Sequence, residues 1–570
     1  MIIGQGVSCG IEYGKAVIFK NQKRIIKKKQ IKDSTLEIER LHRAITEISK
    51  EINEVIRTIQ KTEKEIMEAY LMIIQDAKLL AEVEELIRNE KYNAEYAIEI
   101  GLDDLIKTFK NIDDEYMSSR ANDIIDIKEK IINKLLKDEK DSPNKCKKGT
   151  IIVTNDLSAL DMVQLNLEEI SGIIIENGSE ESHCSIIART YNIPVVIKVE
   201  NATNIIKNND YIAINGKTGM IYINPTLEEM EKLSQIRLKI KEEKDELKKY
   251  KNIPTKTKDE YVIKLFSNIG LATDVKEAIK NSAEGIGLIR SEILYMKKNK
   301  ILTEEEQFCI YKKVAEEFKG KSIVIRTLDI GGDKELEYIK SNKESNPFLG
   351  CRAIRFCLDN LDIFRSQLKA ILRASAYGNL SIMFPMISSI EELRKTKEIL
   401  EDCKIELNKK NIQFKNDIKI GIMIEVPSAA LISGQLAKEC DFFSIGTNDL
   451  IQYTVAAERG NEKVSNLYTK YHPAVLKLIK ETIVGASSAG IMCGICGESA
   501  GDELLIPIWI GMGLDELSVG PNIILKTRKI ICGLEKSKCE ELVEHVLKYA
   551  SAKQIEAELK KWNKKYLSWE

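Results

Sequence analysis

Eight short apolar segments in the C-terminal half constrain this chain more than any other feature. They run Ile263 to Asn268, Gly285 to Ile289, Ile323 to Thr327, Ser381 to Met386, Lys419 to Ile424, Phe442 to Ile445, Ile491 to Ile495 and Glu516 to Val519. Each has the length and residue types of a buried strand, and stretches of helical periodicity separate them. Eight strands alternating with helices over about three hundred residues have the size and rhythm of a closed β/α barrel, whose chemistry gathers at the C-terminal strand ends. Arg290, Arg326, Glu425, Asn448, Asp449 and Cys496 stand where five of the eight strands would end. One charged residue there is ordinarily a solvated terminus, but recurrence on five strands points to a site.

The chemistry of that set can be read from its residue types. Glu425 and Asp449 offer two hard oxygen ligands, too few for an all-protein cage, which suits Mg²⁺ completed by water and a phosphorylated substrate. Arg290, Arg326, Arg352 and Lys334 are cations able to clamp phosphate or carboxylate oxygens, the arginines in bidentate fashion. Cys496, in a Cys-Gly-Glu step after an apolar strand, is either a proton donor or a small buried thiol.

Upstream the pattern is different. From Ser34 to Leu136 the chain is almost free of Gly and Pro, and Leu36, Ile38, Leu41, Ile45, Ile48, Ile52, Val55 and Ile59 recur at helical spacing, predicting long amphipathic helices packed together. After Asp141-Ser142-Pro143-Asn144 the runs become short and rich in Ile and Val: Thr150 to Thr154, Gly172 to Ile175, Val195 to Val199. Tyr211 to Gly216 followed by Met220 to Ile223 predicts a hairpin. The first twenty residues, also strand-like, would join this α/β unit and make the helical region an insertion in it. A charged, proline-free stretch from Thr226 to Lys251 predicts a connecting helix, closed by Pro254. The expected organisation is α/β and multidomain: 1–20 with 145–225 as an α/β domain, 21–144 as a helical subdomain, 226–253 as a linker helix, and 254–570 as the barrel.

His183 is one of only four histidines and lies in Gly178-Ser179-Glu180-Glu181-Ser182-His183-Cys184-Ser185, a small-polar turn running into an apolar helix. Unpaired N–H groups and partial positive charge at a helix start would compensate a phosphoryl group on the imidazole; the same pattern suits a solvated capping histidine. Lys and Arg number 87 against 88 Asp and Glu, so charge balance gives no case for nucleic acid or an anionic membrane. No eighteen-residue apolar run and no secretory start are present, and the twelve cysteines are scattered singly apart from Cys493 and Cys496. A cytoplasmic protein with free thiols is expected, without membrane insertion.

Five segments carry a closer resemblance: Ser182-His183-Cys184-Ser185-Ile186-Ile187-Ala188-Arg189; Gly285-Ile286-Gly287-Leu288-Ile289-Arg290-Ser291-Glu292; Arg326-Thr327-Leu328-Asp329-Ile330-Gly331-Gly332-Asp333-Lys334; Asn346-Pro347-Phe348-Leu349-Gly350-Cys351-Arg352-Ala353-Ile354-Arg355; and Phe442 to Leu450. With these the chain resembles enzyme I of the bacterial sugar phosphotransferase system, the phosphoenolpyruvate-protein phosphotransferase family, over nearly its whole length. The resemblance implies that His183 is the phosphorylated nucleophile, that Glu425 and Asp449 bind Mg²⁺, that Arg290, Arg326, Lys334, Arg352, Asn448 and Arg459 hold phosphoenolpyruvate, and that Cys496 protonates enolpyruvate. It also implies a swivelling phosphohistidine domain, a helical subdomain that docks a histidine phosphocarrier protein through segments like Asp113-Asp114-Glu115-Tyr116 and Arg120-Ala121-Asn122-Asp123, and a homodimer through the barrel.

The chain departs from the family pattern at several positions. Ser179 replaces a glycine and Glu181 a threonine before Ser182-His183. Met162 lies where a threonine is common, Tyr70 replaces a histidine of the helical subdomain, and Cys351 replaces a tryptophan. These changes put the His183 neighbourhood and carrier docking in more doubt than the barrel chemistry. Three other readings are weighed: a pyruvate, phosphate dikinase or phosphoenolpyruvate synthase relative, for which no nucleotide-binding segment is visible; a non-catalytic phosphoenolpyruvate or carrier sensor, which retention of His183, Cys496 and both metal carboxylates opposes; and a paralogous phosphotransferase serving a regulatory carrier.

Overall fold

The computed structural model describes the chain except for residues 9, 20–25, 59–66, 68–69, 111–114, 137–146, 158–160, 163–164, 179–181, 192, 271, 299, 333–343, 460, 462 and 568–570. It divides into two compact units, Met1–Glu242 and Glu243–Glu570.

The first unit is built on an eight-stranded sheet. Its strands are β1 (Ile2–Ile3), β2 (Gln5–Ser8), β3 (Ile11–Phe19), β4 (Thr150–Thr154), β5 (Ile170–Ile175), β6 (Val195–Ile197), β7 (Tyr211–Asn215) and β8 (Met220–Ile223), in the order β1-β8-β7-β3-β4-β5-β6-β2. The opening residues join it as expected, with β3 pairing parallel to β4 from Lys15↔Thr150 to Phe19↔Thr154. β4, β5 and β6 are apolar on both faces because both are covered: Ile152, Ile173, Ile175 and Val195 pack with Cys184, Ile187 and Ala188, while Ile151, Val153, Ile174 and Val196 pack with Ala202 and Ile206. The β7–β8 hairpin closes on Asn215, whose Oδ1 accepts the N–H groups of Lys217 and Thr218 at 3.1 Å, with Gly219 at φ +74° supplying the left-handed turn residue.

Between β3 and β4 the described residues form helices Ser34–Thr58, Ala77–Asn89, Ala94–Lys110 and Glu115–Leu135. They bury Leu41, Ile48, Ile52, Val83, Ile87, Ile98, Leu102, Ile127 and Ile131 in a core of their own. Tyr70 lies inside this core, fully buried, and its hydroxyl donates to Asp126 Oδ2 at 3.1 Å. Position 70, where the resemblance implies a histidine, is thus a core position. Residues 113–114 lie outside the described residues.

In the second unit, β9 (Lys264–Ile269), β10 (Ile286–Arg290), β11 (Ser322–Arg326), β12 (Asn379–Phe384), β13 (Lys419–Ile424), β14 (Phe442–Ile445), β15 (Met492–Ile495) and β16 (Glu516–Val519) form a closed parallel barrel, β16 returning to β9 at Glu516↔Lys264. The outer faces of the strands pack against the helices in the largest core, where Trp509 is fully buried and its Nε1–H donates to Ser499 O at 3.0 Å. The inner faces contribute a separate cluster of Leu288, Val324, Met383, Met423, Phe442 and Cys496. The two groups follow from strand alternation: Cys493 belongs to the outer core and Cys496 to the interior, so these two thiols cannot share a metal or a disulfide.

Helix Leu227–Lys248 fills the expected connecting stretch. Leu233 is buried against Ile11 and Ala213, and Arg237 pairs with Glu12 at 2.8 Å. Among the described residues, no helix is long and apolar enough to cross a membrane.

Candidate active site

The barrel brings most of the residues singled out above to one mouth. Arg290 and Arg326 are the last residues of β10 and β11, and Glu425 follows β13 directly. Asn448 and Asp449 lie in the first turn of helix Thr447–Val455 after β14, with Arg459 beyond its end; Cys496 follows β15. Arg352 arrives from the loop before helix Ile354–Asp359. These eight residues line a single cleft of ≈ 150 Å³ with Leu288, Phe348 and Met423 as its apolar wall. Lys334 lies outside the described residues.

Two buried carboxylates that sequence reasoning missed organise the arginines. Arg326 Nη2 meets Glu292 Oε1 at 2.5 Å and Asp329 Oδ2 at 3.0 Å, while Asp329 Oδ1 takes Arg352 Nη2 at 3.1 Å. Asp329, only 1 % exposed, thus fixes the spacing of two guanidinium groups. Arg352 Nη1 donates to Asp449 Oδ1 at 3.0 Å and to Tyr453 Oη at 3.2 Å, and Tyr453 in turn donates to Phe348 O. Burial opposes the charge on Arg326 and Arg352, but the carboxylates outweigh it and hold both pKa values above the usual arginine value. Both residues stood in the quoted motifs, Glu292 two places after Arg290 and Asp329 three after Arg326. Only the pairing of β10 with β11, at Arg290↔Arg326, shows what they do.

Glu425 is enclosed at the centre. Its Oε1 accepts the Met386 N–H at 2.6 Å. Burial pushes its carboxyl up to about 8, Asp449 and Asp329 adding to the rise and Arg326 and Arg352 opposing it. Asn448 Nδ2 donates to Glu498 Oε1 at 3.1 Å, which sets the direction of its amide. The Cys496 thiol is 2 % exposed; burial raises it to about 11, against the hydrogen bond from Ser444 and the attraction of Arg326. At neutral pH it carries its proton.

His183 is the first residue of helix His183–Thr190 in the other unit. Ser182 caps that helix, its Oγ accepting the Ser185 N–H at 3.3 Å. Directly behind lies a packed apolar layer in which Cys184, Ile187 and Met162 are buried together, so Met162 occupies a core position under the helix. Burial lifts the Cys184 thiol far above its ordinary pKa, which makes it inert. Glu181 lies outside the described residues.

Comparison with known proteins covers nearly the whole chain. Residues 244–536 match the family model described as PEP-utilising enzyme, PEP-binding domain, residues 3–120 the PEP-utilising enzyme N-terminal domain, and residues 146–219 the PEP-utilising enzyme mobile domain. The chain is 42 % identical over 561 residues to the phosphoenolpyruvate-protein phosphotransferase of Bacillus subtilis, covering 98 % of each chain. Those of Staphylococcus carnosus and Haemophilus influenzae are 39 % and 40 % identical, covering 97 % and 98 % of each chain. Barrel, cleft and mobile-domain match agree, and the chain belongs to the phosphoenolpyruvate-protein phosphotransferase family.

Proposed function

We propose that this protein phosphorylates itself on His183 from phosphoenolpyruvate, releases pyruvate, and passes the phosphoryl group to a histidine phosphocarrier protein as the first step of a sugar phosphotransferase system. The observation that carries this reading is the convergence of Arg290, Arg326, Arg352 and Arg459, the Asn448 amide, the Glu425 and Asp449 carboxylates and the protonated Cys496 thiol on a single barrel cleft. Arg290, Arg326, Arg352, Arg459 and Asn448 bind the anion, with Lys334 added by its motif. Arg326 and Arg352 each keep a buried Nε–H without an acceptor among the described residues, a demand that a many-oxygened anion meets. Asp329 and Glu292 keep the clamp rigid, so little reorganisation is needed when charge shifts on the phosphoryl group.

The donor set fits Mg²⁺. Glu425 and Asp449 repel each other in a buried site, a conflict that a divalent cation relieves, and two carboxylates leave room for water and substrate oxygens. When bound, Mg²⁺ neutralises developing charge on the transferring group. His183 attacks phosphorus, and enolpyruvate leaves. The Cys496 thiol, kept protonated by burial, gives its proton to the methylene carbon, and ketonisation draws the transfer forward. Leu288, Phe348 and Met423 exclude water on the apolar side.

The domain reading assigns 1–20 and 145–225 to the phosphohistidine domain, 21–144 to carrier binding, 226–253 to the linker and 254–570 to phosphoenolpyruvate binding and homodimerisation, in a cytoplasmic protein. The test is incubation with phosphoenolpyruvate labelled in its phosphoryl group, with and without Mg²⁺ and a histidine phosphocarrier protein. Acid-labile, base-stable label should appear on wild type and move to the carrier. Label persisting on His183→Ala would overturn the assignment.

A further inference from the structure

The barrel interior below Cys496 holds a carboxyl group that the reaction described above leaves unused. Glu516 opens β16 and is 7 % exposed. Its neighbour Leu517 packs in the outer core, so alternation turns Glu516 inward. There it lies over Gly494 of β15: a methyl group on that glycine would sit 3.3 Å from Glu516 Oε1. No hydrogen bond to this carboxyl is formed among the described residues. The charged and titratable groups around it are Lys264 of β9, the preceding Asp515, and Cys493 of β15.

One row across three neighbouring strands places Ser444 of β14, Gly494 of β15 and Glu516 of β16 in register. The middle member has no side chain. With strands about 4.8 Å apart, the outer two backbones are about 10 Å apart, and a serine and a glutamate reaching across a glycine come within the span of one bridging water. Ser444 Oγ is buried and has no hydrogen-bond partner among the described residues. It lies near the Cys496 thiol, where its hydroxyl favours the ionised form. Ser444 and Glu516 thus share one inward-facing row across Gly494, Glu516 Oε1 also standing 2.5 Å from where a methyl group on Gly287 of β10 would lie, and Ser444 adjoins the thiol read as proton donor.

We propose that Glu516 and Ser444 form a proton relay inside the barrel that resupplies Cys496. As the C3–H bond of pyruvate forms, the S–H bond of Cys496 breaks. The thiolate then takes the hydroxyl proton of Ser444, Ser444 takes a proton from a bridging water, that water takes the carboxyl proton of Glu516, and the Glu516 carboxylate recovers a proton from solvent at the end of the barrel where Lys264 is exposed. Burial pushes the Glu516 carboxyl up to about 8, against the attraction of Lys264 and with Asp515 adding to the rise, so the relay is loaded at neutral pH. The Ser518 hydroxyl donates to Asn268 Oδ1 at 2.7 Å and Asn268 Nδ2 to Cys496 O at 2.9 Å, which holds the Cys496 backbone over this row.

The inference rests on Cys496 being the proton donor, and the experiment separates the two. Single-turnover pyruvate formation by the full-length protein is followed from about pH 6 to about pH 10, and phosphoenolpyruvate deuterated stereospecifically at C3, turned over in tritiated water, reports the face of protonation through the chirality of the CHDT methyl group. Wild type should protonate one face and slow above pH about 8. Glu516→Gln, Ser444→Ala and Gly494→Ala, the last placing a methyl group in the gap, should each slow protonation about 10- to 100-fold, lose facial selectivity as enolpyruvate escapes to water, and bind phosphoenolpyruvate unchanged. Glu516→Gln should also lack the limb near pH 8. Cys496→Ala at wild-type rate would sink the proton-donor reading. Cys496→Ala slow with folded Glu516→Gln and Gly494→Ala both at wild-type rate and selectivity would sink the relay alone.

Discussion

Arg352 donates from Nη1 to Asp449 Oδ1 at 3.0 Å, so the side chain read as a phosphate clamp grips the side chain read as a metal ligand. On that reading metal and anion binding would be mechanically linked, because neither side chain can move without disturbing the other. Arg352→Lys tests the link. A lysine ammonium cannot span Asp329, Asp449 and Tyr453 together. The variant should bind phosphoenolpyruvate about 10- to 100-fold more weakly and lose about 3 kcal/mol of stability, read from calorimetric titration and from the denaturant midpoint.

Cys496→Ala should bind phosphoenolpyruvate as wild type does but release pyruvate about a hundred- to ten-thousand-fold more slowly, the usual contribution of a general acid. Rapid-quench measurement of pyruvate checks it. Release at the wild-type rate would leave Cys496 as a buried thiol only.

Asp449→Ala should abolish labelling by phosphoenolpyruvate and also lose the Mg²⁺ requirement of phosphoenolpyruvate binding. Equilibrium dialysis at several Mg²⁺ concentrations reads this without turnover.

Stability should carry the signature of Glu516. Its folded pKa, about 8, is raised above the ordinary value of 4.5. The native state therefore holds the proton more tightly than the unfolded chain between those values, so this group's contribution is fully present below pH 4.5 and is lost as pH rises through about 8. Glu516→Gln should flatten that fall, measured as melting temperature against pH.

Glu181→Thr should shift the equilibrium between phosphoenolpyruvate and phospho-His183 towards the phosphoenzyme, more at low salt than at high. A carboxylate facing the imidazole would repel the phosphoryl dianion, with salt screening it, whereas one pointing to solvent would leave the equilibrium unchanged at both ionic strengths. The phosphorylated fraction against the pyruvate to phosphoenolpyruvate ratio, at two ionic strengths, decides it.

Period and length made the barrel legible in the sequence. Lys419–Ile424, Phe442–Ile445 and Glu516–Val519 have the bounds their residues predict, because apolar runs bounded by polar turns leave little choice. The strand expected to reach Met386 stops at Phe384 because its end serves the site. Met386 turns to φ +58° and gives its N–H to Glu425, a partner 39 residues away. The same limit hid Asp329 and Glu292. Their types were visible, but which cation each would hold depends on strands becoming neighbours. Arg290, Arg326, Glu425, Asp449 and Cys496 could be assigned to one mouth by counting, since the barrel sends every strand end to the same side.

β3 and β4 lie side by side and point the same way, and that has a bearing on how such proteins can change over generations. Antiparallel neighbours can be rejoined by a two-residue turn when whatever lies between them is lost. Parallel neighbours cannot, because the chain must travel back the full length of the sheet. The helices between Phe19 and Thr150 are that return path. Descendants of this protein could remodel the surface of the helical insertion for a different partner, but could not discard it without finding another way to bring β4 home.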